Sequence, residues 1–490
     1  MHREYSAPGA SRNGAARRSL FRVAAVGGAL LLAGCKTLSP DGGIGLVAGV
    51  AGHELGKDIA VIRSAEDSAA VRERVRGLLG RSLTADAAVQ IALLNNRGLQ
   101  AAYNDLGIAE VTMVEASRPP NPTFSIERMA SPAELEIERR IVANILALAT
   151  LPVRAKIAES RFLQAQFRAA EETLRVAAEA RRNWYRAVAA RELAGYLARA
   201  QSTAETATQL AKRLGETGAL NKLDQAREQV FYAEITAQLA TSRQRAASER
   251  ERLVRSLGLW GSELDFKLPG ALPALPRVQR LAAIEIEAVR RRVDLQIARI
   301  EVETLNKSFG LAQASRFINL LEVSGIDKVV IEKGTGHRER ARGFELEFQI
   351  PIFDFGESAV RRSEQAYMQA VNRLLEKAVN VRSEAREAYR TYRSTYEIAA
   401  HYRREVLPLR KIISDETLLR YNAMQIDVFA LLTEARQRIT ATTSAIEAQR
   451  EFWLAKTNLG TAVAGGGGAA GGGGESAGPA AAAEGGGAAH

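Results

Sequence analysis

The stretch Arg342–Gly356, RGFELEFQIPIFDFG, decides how the rest of this 490-residue chain is interpreted. From Phe344 to Ile350, apolar residues alternate with polar ones, and strict alternation predicts a β-strand with one apolar face and one polar face. Pro351 has no N–H group to donate, so it ends the predicted strand. The residues that follow, Glu357–Leu419, form a charged run with helical character. A short amphipathic strand that leads into a helix this long is unusual in a soluble globular domain.

The same transition from strand to long helix occurs earlier in the chain, at Glu134–Arg154. Matching positions recur in the same order in the two halves, at separations of 196, 199 and 207 residues. They are Leu99 with Leu295, Pro152 with Pro351, and Arg213 with Arg420. A separation that rises slowly indicates a duplication with small insertions, whereas chance similarity between Ala-, Leu- and Arg-rich helices need not preserve the order. We therefore predict two structural repeats.

Each repeat is predicted to contain a helix, a β-hairpin, a very long helix, a turn and a returning helix. The first repeat has predicted helices at 84–116, 154–214 and 224–258, and strands at 123–129 and 135–138, the second continued by the apolar run 141–153. The second repeat has predicted helices at 278–311, 357–419 and 428–462, strands at 320–332 and 343–350, and a charged loop at 334–342. At about 1.5 Å per residue, a helix of ~60 residues spans ~90 Å.

Cys35 is the only cysteine, which excludes an intramolecular disulfide, and its context is distinctive. Three arginines between residues 17 and 22 precede the apolar run Val23–Ala33, which is too short to span a bilayer. The residues Leu32–Cys35 resemble the end of a bacterial lipoprotein signal, where the cysteine is acylated and becomes the mature N-terminus. The alternative is a buried free cysteine. We expect a signal peptide and lipidation of Cys35.

The domain boundaries follow from these features. The predicted segments are a lipoprotein signal peptide (1–34), an N-terminal lipid-anchored segment (35–81), a first structural repeat (82–262), a Pro-rich linker (263–277), a second structural repeat (278–463) and a disordered Gly/Ala tail (464–490). The tail holds too few bulky apolar residues to form a core.

Composition excludes several classes of function. The net charge is +11, but basic residues are interspersed with acids, as in Arg243–Arg252, and this pattern is typical of a solvated helix face rather than a nucleic-acid surface. The five histidines are scattered, with no HExxH motif and no cysteine pair that would bind a metal. We therefore predict that the protein is not an enzyme, has no cofactor or metal site, and binds no nucleic acid.

The four predicted strands have about the length that a tilted strand needs to cross a bilayer. In lipid every backbone group must be paired, so a membrane sheet has to close on itself. Four strands cannot close a barrel, since membrane barrels begin at about eight strands. The sequence therefore predicts that several copies pool their strands. The alternative is that the hairpins are small soluble sheets that cap a helical bundle.

The alternation within the strands assigns residues to two faces. The predicted membrane-facing residues are Phe124, Ile126, Leu135, Ile137, Phe344, Leu346 and Phe348. The predicted lumen-facing residues are Glu127, Glu136, Glu345 and Glu347, with Glu138 as a further acid of the polar faces. A lumen lined by carboxylates would favour cations. Arg128, Arg139 and Arg140 count against this hypothesis.

Several motifs occur in order behind the signal sequence. They are Leu83–Ala88 (LTADAA), Asn95-Asn96, Leu99–Ala101 (LQA), Pro120–Pro122 (PNP), Pro351–Gly356 (PIFDFG) and Arg420–Ala423 (RYNA). Over about residues 82–463 the chain resembles the outer membrane efflux protein (TolC-like) family. The resemblance implies a mainly α fold with a small membrane β part. It also implies a homotrimer with a 12-stranded β-barrel in outer membrane lipid and a long periplasmic α-helical tunnel.

The resemblance further implies an exit duct of a tripartite efflux or type I secretion system. An inner-membrane transporter and a periplasmic adaptor protein would be its partners, and export through the duct itself would be passive. The cargo, whether drug, metal ion or protein, stays open. The rival interpretation is a lipid-anchored periplasmic coiled-coil scaffold or adaptor that forms no pore and would tolerate charge at Phe344.

Two helical turns would form the periplasmic tip of such a duct, and the residues implied there are Gly215, Gly218, Tyr421, Gln425 and Asp427. The separation of 207 residues pairs Gly218 with Gln425, so the second turn lacks a glycine that the family often has. Asp427 is either part of an acidic gate or the N-cap of the following helix.

Overall fold

The computed structural model describes residues 37–218, 220–279 and 283–467, and these residues are mainly helical. The helices are α1 (Gly45–Leu55), α2 (Ala65–Leu79), α3 (Ala85–Asn95), α4 (Arg97–Ala116), α5 (Ile145–Glu216), α6 (Lys222–Leu257), α7 (Ile284–Arg291), α8 (Val293–Ala314), α9 (Glu357–His401), α10 (Leu407–Asn422) and α11 (Val428–Ala464). A 3₁₀ turn covers Gly261–Leu264, and a π-helical turn, Tyr402–Val406, joins α9 to α10.

Four strands form a single antiparallel sheet in the order β1-β2-β3-β4. The strands are β1 (Thr123–Ala130), β2 (Glu134–Asn144), β3 (Leu320–Glu332) and β4 (Arg338–Gln349). The predicted fold class, mainly α with very long helices and four strands per chain, is therefore confirmed.

The same series of elements occurs twice, and the repeat extends to backbone detail. The first helix of each repeat was predicted to be continuous, which is wrong: each is broken once. Asn96 (φ −67°, ψ 118°) separates α3 from α4, and Arg292 (φ −63°, ψ 117°) separates α7 from α8. These two breaks are 196 residues apart, the separation that the sequence gives for this part of the chain.

Side-chain hydrogen bonds account for the break at Asn96. The Nδ2 of Asn95 donates to the Gly258 carbonyl (2.8 Å), and the Nδ2 of Asn96 donates to the Ser256 carbonyl (3.1 Å). Both acceptors lie at the C-terminal end of α6, where carbonyls have no partner within their own helix. The Asn95-Asn96 motif thus joins two helices that are distant in sequence.

The first long helix begins earlier than predicted. We expected it to start at Arg154, after the apolar run 141–153, but α5 already begins at Ile145 and contains Pro152. The reason is an N-terminal cap that sequence periodicity did not reveal. The Oδ1 of Asn144 accepts a hydrogen bond from the backbone N–H of Ala147 at 2.7 Å, and asparagine is a preferred residue at this position.

The second hairpin has a shorter loop than the predicted 334–342. Strand β4 begins at Arg338, and its pairing with β3 extends to Ile331. The guanidinium of Arg340 donates two hydrogen bonds of 2.7 Å to Asp327 on β3. Arg340, one member of this cross-strand pair, lies within the charged residues that we had assigned to the loop.

The described residues separate into two compact units, and each predicted repeat contributes to both. One unit contains residues 37–53, 98–170 and 293–380, including the whole sheet. In it hydrogen bonds from two helices hold the N-terminal segment. The backbone N–H of Ser39 donates to Glu110 Oε1 (2.7 Å), and Gln166 Nε2 donates to the Gly43 carbonyl (2.8 Å).

The other unit contains residues 54–97, 171–292 and 381–467 and has an aromatic core. The indole N–H of Trp184 donates to the Leu83 carbonyl at 2.9 Å. Tyr185 stacks on Trp453 with 5.0 Å between ring centroids. Beside these rings lies an open cavity of about 900 Å³.

The C-terminal helix α11 extends to Ala464, and Gly465 and Gly466 are buried. The predicted disordered tail, which was placed at 464–490, therefore begins too early. Residues 468–490, the predicted signal peptide and Cys35 lie outside the described residues. None of the described helices combines the length and the apolar character that crossing a membrane requires.

Candidate functional site

The register of the sheet settles which predicted site residues share a face. Partners across strands lie on the same side, and successive residues alternate. One face carries all seven residues that were predicted to face the membrane: Phe124, Ile126, Leu135, Ile137, Phe344, Leu346 and Phe348. The other carries all four predicted lumen residues: Glu127, Glu136, Glu345 and Glu347. We call these the aromatic face and the acidic face.

The aromatic face leaves large apolar side chains uncovered. Phe344 is 83% exposed, and Phe124 and Phe348 are also exposed. Contiguous exposed apolar patches of this kind mark surfaces that contact a partner or a membrane. The sheet thus presents an apolar surface that the described part of the chain does not cover.

The acidic face is more acidic than the sequence suggested. Its carboxylates are Glu127, Glu134, Glu136, Glu138, Glu322, Glu332, Glu339, Glu345 and Glu347. Only two basic residues of the described strands share this face. Arg140 pairs with Glu138 (3.1 Å) and Glu345 (3.0 Å), and Lys328 pairs with Glu136. The net charge of the face is therefore −7.

Two of the three arginines that counted against an acidic lumen lie on the opposite face. Arg128 pairs in register with Ile137, and Arg139 pairs with Ile126 and Asp327. Only Arg140 belongs to the acidic face. Alternation in β1 already places Arg128 on the face of Phe124 and Ile126. The predicted strand 135–138 stopped short of Arg139 and Arg140, so their faces were not assigned.

The predicted tip residues lie in or beside two turns that match each other closely. Gly215 is in the last turn of α5 and Gly218 follows it, whereas Tyr421 is in the last turn of α10, ahead of Gln425. Asn221 caps α6, and Asp427 caps α11 by accepting a hydrogen bond of 2.8 Å from the N–H of Ala430. Of the two roles considered for Asp427, the structure supports the N-cap.

The caps Asn221 and Asp427 are 206 residues apart, so Gly218 corresponds to Met424, not to Gln425 as we predicted. The backbone confirms this correction. Gly218 has φ +75° and Met424 has φ +56°, both in the left-handed region that favours glycine. The second turn keeps the conformation of the first without the residue type that suits it.

Above the turns, helices α5, α6 and α11 pack around a small apolar cluster formed by Ala204, Phe231, Ile235 and Leu432. Polar contacts surround it. Arg436 on α11 pairs with Glu234 on α6 at 3.2 Å, and its guanidinium lies 5.5 Å from the Phe231 ring. Arg410 on α10 pairs with the buried Glu434 at 3.1 Å. Sequence reasoning missed these pairs, because the partners are far apart in the chain and no motif connects them.

The cavity beside the aromatic core was also not predicted. It is lined by Trp184, Tyr185, Tyr392 and Trp453, together with polar residues that include Lys456. Burial raises the pKa of Tyr185 to about 12 and, with help from nearby Arg181, lowers the pKa of Lys456. Across residues 37–218, 220–279 and 283–467, no group of three or more His, Cys, Asp or Glu side chains is arranged to hold a metal ion.

Comparison with solved structures identifies the architecture. CusC, described as a protein that forms a transmembrane channel, is 16% identical with a TM-score of 0.65, and the match covers 78% of this chain and 92% of that one. The outer-membrane channel OprN is 17% identical with a TM-score of 0.66, covering 78% and 90%. The CmeC outer membrane channel of Campylobacter jejuni is 13% identical with a TM-score of 0.65, covering 78% and 86%.

The chain has the fold of the TolC-like outer membrane channels. The resemblance that the sequence motifs indicate is therefore confirmed at the level of the fold. No protein-family model and no curated protein sequence matches the chain.

Proposed function

We propose that three copies of this chain form an outer membrane exit duct of a tripartite efflux or type I secretion system. The duct lets substrate leave passively, and an inner-membrane transporter with a periplasmic adaptor delivers the substrate. CusC, OprN and CmeC, whose fold the chain shares, are described as transmembrane or outer membrane channels. Catalysis has no part in this function.

The observation that carries the proposal is the two-faced sheet. Its aromatic face suits contact with lipid, and its acidic face suits a water-filled lumen. Within the described chain, the outer edges of β1 and β4 pair with no other strand. An unpaired edge is costly in lipid. Three copies joined edge to edge supply twelve strands and remove every edge.

The long helices α5, α6, α9, α10 and α11 supply the periplasmic tunnel in this proposal. The turns around Gly218 and Met424 form its tip, where the adaptor protein docks. Cys35 carries the lipid anchor at the outer membrane. The mass of the purified mature chain tests the anchor: added acyl groups on Cys35 support it, and an unmodified Cys35 excludes it.

Electron microscopy of the mature protein, purified from membranes in mild detergent, tests the duct. We expect a trimer with a closed β-barrel and a helical tunnel. Conductance steps after addition to a planar lipid bilayer would support a pore directly. A monomer, or an open helical bundle without a barrel, would instead favour the lipid-anchored scaffold that never forms a pore.

A further inference from the structure

The aromatic face carries positive charge that a purely lipid-facing surface does not need. Its basic residues, which we call the arginine rim, are Arg128, Arg139, Arg338, Arg340 and Arg342. Its only acidic residue is Asp327. The face therefore has a net charge of +4, whereas the acidic face has −7. The two sides of one thin sheet are oppositely charged.

The arginine rim is confined to one half of the aromatic face. The half near the helices carries Phe124, Ile141, Phe344, Leu346 and Phe348. Every arginine lies toward the two hairpin loops, beginning at the row where Arg139, Asp327 and Arg342 pair across three strands. Arg342 precedes Phe344 by two residues, or ~7 Å along the strand. The basic zone thus borders directly on the exposed aromatic zone.

The single carboxylate of Asp327 cannot accept hydrogen bonds from all the guanidinium groups of the arginine rim. Asp327 accepts two hydrogen bonds of 2.7 Å from Arg340 and lies 3.5 Å from Arg342 and 3.7 Å from Arg139. The guanidinium groups of Arg128 and Arg338 form no hydrogen bond or ion pair with any residue in the described parts of the chain. Since each guanidinium has five N–H donors, most donors of the rim are available to an external acceptor.

We propose that the arginine rim binds the phosphate groups of anionic lipids at the outer surface of the membrane. This inference rests on the proposed function, because it requires the aromatic face to contact lipid. Guanidinium groups match phosphate oxygens in pairs, which makes arginine the suitable residue for such a group. A lipid fits better than a free anion, because its acyl chains contact the phenylalanines that adjoin the rim.

The trimer would complete the site. When the sheets of neighbouring copies join edge to edge, β1 of one copy lies beside β4 of the next. Arg128, on the outer edge of β1, then comes near the ladder of Arg338, Arg340 and Arg342 on β4 of the neighbouring copy. The site is thus shared between copies, and three equivalent sites surround the barrel.

The test uses the full mature chain, reconstituted in nanodiscs of phosphatidylcholine with a minor fraction of phosphatidic acid. Native mass spectrometry counts the phosphatidic acid retained by each trimer. The variant Arg128→Gln/Arg338→Gln/Arg342→Gln keeps the Arg340–Asp327 pair, so no acid is left unpaired. Because each arginine near a membrane surface contributes about a fivefold change in affinity, we expect at least a ~10-fold loss of phosphatidic acid enrichment.

The matched control is Arg362→Gln/Arg373→Gln/Arg382→Gln, which makes the same change in charge at exposed positions of α9 and should retain wild-type enrichment. Equal loss in both variants, or a wild-type trimer without enrichment, would overturn the inference while leaving the duct intact. Complete displacement of the lipid by inorganic phosphate would identify a free-anion site and also overturn it. A chain that does not insert as a trimer would contradict the proposed function itself.

Discussion

Met424 is a single residue that the fold holds in an unfavourable conformation. Its φ of +56° places the Cβ atom close to backbone atoms, whereas Gly218 at the equivalent position has no Cβ. The side chain gains nothing in return within the chain, since it is 94% exposed. An exposed methionine kept in a glycine conformation is consistent with a contact outside this chain, and the tip of the proposed duct is where an adaptor would bind.

The strain at Met424 predicts opposite effects for two substitutions. Met424→Gly should raise the free energy of unfolding by about 0.5–1 kcal/mol relative to Met424→Ala, because only glycine removes the Cβ. Gly218→Ala should lower it by about 1 kcal/mol, since the new Cβ meets the same left-handed backbone. Thermal unfolding of the purified variants in detergent measures both. Equal stability of the Gly and Ala variants at position 424 would show that the backbone there is not strained.

Glu228 on α6 is a buried carboxylate that forms no ion pair with any described residue. Only 5% of the residue is exposed, and its Oε2 atom accepts no hydrogen bond from the described residues. Burial raises the pKa of Glu228. The folded protein therefore binds the proton more tightly than the unfolded chain does.

This raised pKa gives stability a defined pH dependence. Glu228 destabilises the fold least below the ordinary carboxyl pKa of about 4.3, and stability is lost as the pH rises through the raised folded value. Glu228→Gln should therefore raise the free energy of unfolding by about 1 kcal/mol at neutral pH and have no effect in acid. Unfolding midpoints measured from pH 4 to pH 8 test this. The exposed Glu205→Gln on α5 is the control and should follow the wild type.

At the scale of elements, the sequence predicts strands and long helices well, because their evidence is local. Strand β3 begins and ends at the predicted residues, 320 and 332, and the alternation in β4 assigns Phe344 and Glu345 to the correct faces. Where the prediction fails, contacts between residues far apart in the sequence determine where a helix or strand begins and ends. Asn96 breaks a helix because its side chain reaches Ser256, and β4 extends to Arg338 because Arg340 reaches Asp327.

In the candidate site, too, local sequence predicts some features, whereas others depend on contacts between distant parts of the chain. Each residue could be assigned to a face of its own strand, but the charge of a face depends on the register between strands. Arg139 and Arg140 are neighbours in sequence and end on opposite faces, one beside Asp327 and the other beside Glu345. The arginine rim therefore could not be recognised until β1, β2, β3 and β4 were aligned.

The two faces of β4 should respond differently to the same charge. Leu346→Lys places a cation in the apolar half of the aromatic face, farther from the arginine rim than Phe344, and should reduce insertion into the membrane by about 2–4 kcal/mol. Ala341→Lys adds the same charge on the acidic face of the same strand and should be tolerated. The measurement is the fraction of each variant recovered from membranes as assembled trimer. Equal recovery would favour a scaffold over a pore.

For the whole molecule, the repeat could be predicted from the sequence but the compact units could not. Residues 98–170 and 293–380, one segment from each repeat, belong to the unit that contains the sheet, whereas residues 54–97, 171–292 and 381–467 form the other. Segments of both repeats share a unit because each repeat supplies only two of the four strands of the sheet and only part of the helices. The proposed trimer would follow the same logic one level higher, since the sheet of one chain has two edges that pair with no other described strand.

The net charge of −7 on the acidic face predicts which ions the assembled pore prefers. Three copies would surround the lumen with carboxylates, so reversal potentials in a salt gradient should indicate preference for cations. Glu127→Gln/Glu347→Gln should reduce the cation-to-anion permeability ratio about twofold or more, most clearly at low salt, where screening is weakest. Glu66→Gln/Glu73→Gln on α2 removes the same charge outside the sheet and should leave the ratio unchanged. Preference for anions in the unaltered pore would mean that the acidic face does not line it, and the assignment of the two faces would then have to be reversed.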